Sequence, residues 1–187
     1  MNRRYGIAIT IAILALATSA RAQDETPEAV VQQIMAATRA GDWGRMTQLM
    51  HPAALHQMLT LLDPILTTDG AELDTARHMI FGFPTRSAAT AATDSAVMVG
   101  LLRFSMSQQP GVAEVLRSAT YQPLGDVREG KDTVHVVGRV FMTVNGSAIS
   151  QLEVTSLARS GTTWRALLKG DWTQMASRLR QALLRNH

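Results

Sequence analysis

Residues 132–144 constrain this chain more than any other stretch. Val134, Val136, Gly138, Val140, Met142 and Val144 fall on one side of a two-residue repeat, while Thr133, His135, Arg139 and Thr143 fall on the other. Successive side chains of a strand point to opposite faces, so this pattern predicts a strand with one buried side. Residues 148–158 and 162–170 can alternate in the same way, which predicts an antiparallel meander. An apolar sheet face needs a cover, and the segments before it have helical spacing. The expected class is therefore α+β, with N-terminal helices on a curved antiparallel sheet and a further helix after it.

The register of the hairpins sets two rules against each other. Asn145-Gly146 is the favoured pair for a two-residue turn, but that turn places Gln151 and Glu153 on the face of Val136 and Val140. A three-residue loop over Val144, Asn145 and Gly146, with the glycine in a bulge, places Ala148, Leu152 and Val154 there. Ser160-Gly161 poses the same choice. Burying an unpaired carboxylate costs more than a turn preference supplies, so the three-residue loops are expected. They give an inner face of Val134, Val136, Val140, Met142, Leu152, Val154, Trp164, Ala166 and Leu168. His135, Arg139, Gln151, Glu153, Arg165 and Lys169 then point outward.

The N-terminal 22 residues read differently from the rest. Arg3 and Arg4 precede an uncharged run over residues 7–20, followed by Ala20-Arg21-Ala22. This is the pattern of a secretory signal peptide cleaved after Ala22, and the run is shorter than the ~20 apolar residues of a spanning helix. The expected product is exported, periplasmic or secreted, with no membrane anchor after cleavage. The chain has no cysteine, which excludes a disulfide framework, a thiolate nucleophile and a lipid-bearing thiol. Removing Arg3, Arg4 and Arg21 from the 18 basic side chains leaves as many as the 15 acidic ones. A formally neutral mature chain gives no reason to expect nucleic-acid binding. Only the tail, with Arg178, Arg180 and Arg185, is locally basic, as one solvated helix face can be. The remaining residues, 23–187, suit one domain.

Along the mature chain, Thr26 can cap a first helix with Pro27 at its first position and Glu28 in its first turn, and Gly41 can stop it. Val30, Val31, Ile34, Met35 and Thr38 form its apolar stripe. Asp42 caps a second, short helix carrying Trp43, Met46, Leu49 and Met50. Pro52 opens a third with Leu55, Met58, Leu59, Leu62, Ile65 and Leu66, which Pro64 is expected to kink or end. A turn at Asp69-Gly70, a short helix over residues 72–80 and a mobile loop over residues 87–93 are expected next. A helix over residues 95–106 and a break at 108–111 follow, with a short helical turn leading into a strand over 119–127. Pro123 confines that strand to an edge or a bulge. Asp171 can cap the last helix, with Trp172 in its first turn and Met175, Leu179 and Leu183 on its inner side.

Helix one, the Gly41-Asp42-Trp43 to His51-Pro52 corner, a variable middle and a sheet ending in Leu168-Lys169-Gly170-Asp171-Trp172 together resemble the nuclear transport factor 2-like superfamily. The likeness covers most of the mature chain and rests on structural motifs. It implies an α+β cone in which helices close over a bent sheet. The superfamily includes isomerases, cyclases, dehydratases and many non-enzymatic binding or dimerisation domains, so the resemblance does not choose a function. In its enzymes acids, bases and aromatic hydroxyls project into the cone, whereas the inner face expected here is nearly all aliphatic.

The candidate chemistry is accordingly sparse. Tyr121, the only tyrosine left after cleavage, could donate its hydroxyl to a ligand; otherwise it is an amphipathic strand residue. Asp74 and His78, four apart, could share a helical face as an acid-base pair, although two such groups do not make a metal site and a surface pair is the simpler reading. Glu153 pairs with Arg165 if it points outward, and becomes a candidate general base if it points inward. Trp43, Trp164, Trp172 and the methionines fill core or wall a cone that admits an apolar molecule. No cofactor or metal is implied. Two functions remain: a non-catalytic exported domain that binds a small apolar ligand or associates through its sheet, as a homodimer for example, and an isomerase or dehydratase using Glu153, Tyr121 or Asp74.

Overall fold

The computed structural model describes residues 25–184 and is α+β, as expected. The signal-peptide reading of residues 1–22 and the basic Arg185 lie outside the described residues. Helix α1 (Pro27–Ala40) starts where Thr26 Oγ1 accepts from the Ala29 N–H at 3.3 Å and stops at Gly41, whose φ of 67° is left-handed. Asp42 caps α2 (Trp43–Gln48) through the Arg45 N–H at 2.9 Å. Leu49 keeps a helical backbone, and the chain is extended at His51 before α3 (Pro52–Thr67). His51 belongs to that junction: its Nδ1 accepts from the Ala53 N–H at 3.2 Å.

Pro64 neither kinks α3 to a stop nor ends it. The helix runs on through the proline to Thr67, with Ile65 and Leu66 buried, and Arg77 satisfies carbonyls at its C-terminal end. One Arg77 nitrogen, Nη1, donates to Ile65 O at 2.7 Å and to Thr68 O at 2.9 Å. Helix α4 (Ala71–Ala76) passes into a π-helical turn over Arg77–Phe81, ended by left-handed Gly82. The mobile loop expected over 87–93 is instead a short helix, α5 (Arg86–Thr90), capped by Thr85 and pinned by Ala89, which is fully buried. Small and polar residues suit a loop, but the alanines among them are also the strongest helix formers. Helices α6 (Asp94–Gln108) and α7 (Pro110–Ser118) follow, separated only at Gln109.

Four antiparallel strands form the sheet in chain order: β1 (Thr120–Glu129), β2 (Thr133–Val144), β3 (Ser147–Ser160) and β4 (Thr163–Ala166). Pro123 sits at a bulge in the edge strand β1, where its missing N–H is tolerated. Strand β4 is much shorter than expected, and Leu168 lies beyond it. Met50 forms a single parallel bridge with Ala166, its neighbours donating and accepting across it at 2.8 Å. Helix α8 (Gly170–Leu184) then returns to pack on α3 and α4.

Two apolar cores result, joined at Leu49-Met50. One lies between α1 and the sheet and holds Val30, Val31, Leu49, Val134, Val136, Leu157 and Trp164, all nearly inaccessible. Each such aliphatic side chain contributes roughly 1.5–3 kcal/mol by leaving water. The other lies among α3, α4 with its π turn, α6 and α8.

The hairpins correct the expected register. Val144 pairs with Ser147, leaving Asn145 (φ 50°) and Gly146 (φ 79°) as a two-residue turn. Positive φ at both positions suits Asn-Gly and matches the right-handed twist of the strands. Ser160 pairs with Thr163, so the second turn also holds two residues. Leu152 and Val154 therefore lie on the outer face, 59% and 51% exposed, while Glu153 and Thr155 turn inward.

Candidate functional site

The inner face of the sheet carries a gradient from apolar to polar. Val134, Val136 and Leu157 at one end are sealed under α1, and Trp164 is buried with them. Towards the β2–β3 turn the partners change: Val136 faces Thr155, Gly138 faces Glu153 and Val140 faces Gln151. Here α1 lifts from the sheet and leaves a cavity of about 270 Å³. That volume is just below the ~300–1,000 Å³ usual for small-molecule sites.

Its walls come from several elements. Val31, Ile34, Met35 and Thr38 of α1 form the roof, and Val140, Met142 and Ala166 form part of the floor. Met46, Met50, Met98, Leu116, Leu168 and Trp172 complete the lining. Five of the lining side chains are methionines. Unbranched thioethers adjust to irregular guests at little cost, so the wall can accept more than one shape.

One ion pair stands on this wall. Glu153 contacts the Lys169 ammonium, which arrives from the turn between β4 and α8. The glutamate side chain is 22% exposed and the lysine side chain 43%. Glu153 Oε1 is shielded from solvent and accepts no further hydrogen bond, so the lysine is what balances it. Burial pushes the Lys169 ammonium below the usual lysine range, while nearby Asp171 works the other way. The touching carboxylate also favours the charged lysine, so pairing and burial oppose each other at this amine.

Tyr121 lies beside the cavity and outside its lining. It packs with Ile34 and Met35 against the α1–sheet core, and its ring covers Gly138. A Cβ at Gly138 would stand 2.2 Å from the ring carbons, so any side chain there requires the Tyr121 ring to move. The Tyr121 hydroxyl is buried with no hydrogen-bond partner. Burial first, and the negative charge of Glu28 second, hold its pKa above the ordinary 10.0.

The other candidates separate. Asp74 pairs with Arg77 at 2.5 Å, and His78 is exposed on another part of the turn. Among the described residues no three His, Asp or Glu side chains gather as a metal site. Of the expected pocket wall, Val140, Met142 and Leu168 line the cavity; Val134, Val136 and Trp164 are core beside it, and Trp43 borders a smaller cleft with α7. Leu152 and Val154 are on the opposite face, a consequence of the two-residue turns. Lys169, Gln151 and Thr155 were missed. The signal for them is the Asn145-Gly146 pair itself, which the cost of an unpaired Glu153 outweighs when Lys169 is left out. Comparison of the chain with protein-family models, curated proteins and solved structures finds no match.

Proposed function

We propose that this protein is an exported binding domain of nuclear transport factor 2-like build that takes a small, largely apolar molecule into the cavity between α1 and the sheet. The observation that carries the reading is an apolar, methionine-rich wall interrupted by one ion pair, Glu153–Lys169. Sites of this composition bind by burial and use a few polar groups for orientation. Native mass spectrometry of protein purified from its own host tests it: a bound mass lost on denaturation is expected. A bare chain that also shows no thermal shift with a panel of small apolar compounds would count against it. Recovery of a mature N-terminus at Gln23 from the exported fraction tests the compartment.

A second reading, proton-transfer catalysis of the isomerase or dehydratase kind, is favoured by Glu153 standing in the cavity. The lysine contact argues for the binding reading, because it occupies the carboxylate oxygen a base would use. Tyr121 and Asp74 lie outside the lining and add nothing to such chemistry. Turnover of an enolisable ketone or hydroxy acid that Glu153→Gln abolishes would decide for catalysis.

Association through the sheet is a separate part of the proposal. Val127, Phe141, Leu152 and Val154 are each between 41% and 61% exposed on the uncovered face. A row of this kind suits a twofold contact between copies. Sedimentation velocity should then show a dimer, and Leu152→Glu should convert it to monomer; a wild-type monomer at all concentrations excludes the contact.

A further inference from the structure

Resting on the binding reading above, we infer that the guest is a protonated apolar amine whose ammonium group takes the place of Lys169 against Glu153. The two partners of this ion pair are unequal in ways that matter. Glu153 is fixed in the middle of β3 opposite Gly138, its Oε1 shut from solvent. Lys169 is the more exposed partner and belongs to the short turn between β4 and α8, on a stem of four carbons. The carboxylate cannot follow a departing partner, whereas the lysine can leave for water.

Asp171, two residues on, already acts electrostatically on the Lys169 ammonium and offers it a second anion outside the cavity. Exchange of one cation for another at Glu153 thus leaves no charge uncompensated. Burial works against the lysine in its present position, which lowers the cost of displacing it.

An anionic guest fares differently. To reach Lys169 it must lie against Glu153, and if it draws the lysine away it leaves that carboxylate buried and unpaired. A neutral guest gains the apolar wall and the neutral side chains of Thr38, Gln151 and Thr155, with no charge to balance Glu153. The methionine side chains of the lining accommodate the hydrocarbon part.

The test is calorimetry at pH 7 with three probes of one shape: 2-phenylethylamine, 2-phenylethanol and 3-phenylpropanoate. A charge-assisted hydrogen bond contributes about tenfold or more in affinity, so the amine should bind at least about tenfold tighter than the alcohol, and the acid weakest of the three. Glu153→Gln should erase the amine's advantage over the alcohol. Equal binding of amine and alcohol, or tightest binding of the acid, overturns the amine assignment while leaving the cavity reading intact. Binding of none of the three by the wild-type protein overturns both. The wild-type ranking decides the matter even if the variant fails to fold.

Discussion

Removing either member of the Glu153–Lys169 pair should reveal which is the fixed partner. Lys169→Met leaves a carboxylate whose Oε1 is sealed from water and has no other donor. Breaking a fully buried pair costs about 3–5 kcal/mol. Glu153 is 22% exposed and its partner 43%, so solvent screening reduces this to roughly 1–3 kcal/mol. Glu153→Gln instead leaves an amine that can turn outward to Asp171 and water, at a cost of about 1 kcal/mol or less. The double variant keeps the cavity's shape with no charge in it and should be more stable than Lys169→Met alone. In a chain of this size about 1 kcal/mol moves Tm by ~2–4 °C, within reach of calorimetric or circular-dichroism melts. Equal losses from the two single variants, or strictly additive losses in the double variant, would show that the pair is a surface contact and that Glu153 does not depend on Lys169.

Three further outcomes follow from the same geometry. Gly138→Ala places a methyl 2.2 Å from the Tyr121 ring and should cost about 1–3 kcal/mol in urea unfolding, with a smaller cost in a Tyr121→Leu background. Tyr121→Phe removes a buried hydroxyl without a partner, so stability at pH 7 should be unchanged or raised. The phenol's folded pKa is raised above 10.0, so its contribution is fully present below about pH 10 and is lost as pH rises through the folded value. Wild type should therefore fall relative to Tyr121→Phe in alkaline melts. Lys169, whose pKa burial depresses, gives the opposite trend as pH rises towards 10.5, and the comparison cancels it because both proteins carry it. Arg77→Met strips the donors from Ile65 O and Thr68 O beyond Pro64 and should cost about 2–4 kcal/mol, seen as a lowered urea midpoint.

Much of the scaffold was legible because its signals are local. Thr26, Asp42 and Gly41 mark helix ends through their own side chains or backbone freedom, and each does so in the structure. The alternation of β2 identified the buried valines, and Pro123 marked the bulge. Segments decided by distant partners were less legible. Pro64 remains inside α3, and the carbonyls at that helix's end are satisfied by Arg77, twelve residues from Ile65. Residues 87–93 could not announce that Ala89 would be buried against the rest of the helical layer. The candidate site failed for a related reason. The penalty for turning Glu153 inward was counted for an isolated carboxylate, while its partner Lys169 lies sixteen residues later in the chain. Once that lysine is included, the Asn145-Gly146 turn preference and the electrostatics agree.

The register of the β2–β3 hairpin therefore bears most directly on the account, and cross-strand nuclear Overhauser effects measure it. The two-residue turn predicts proximity of Val140 with Gln151 and of Val136 with Thr155, which places Glu153 opposite Gly138 on the cavity side. Proximity of Val140 with Ser150 and of Val136 with Val154 would mean a three-residue loop, with Glu153 facing outward and no charged group from β3 in the cavity.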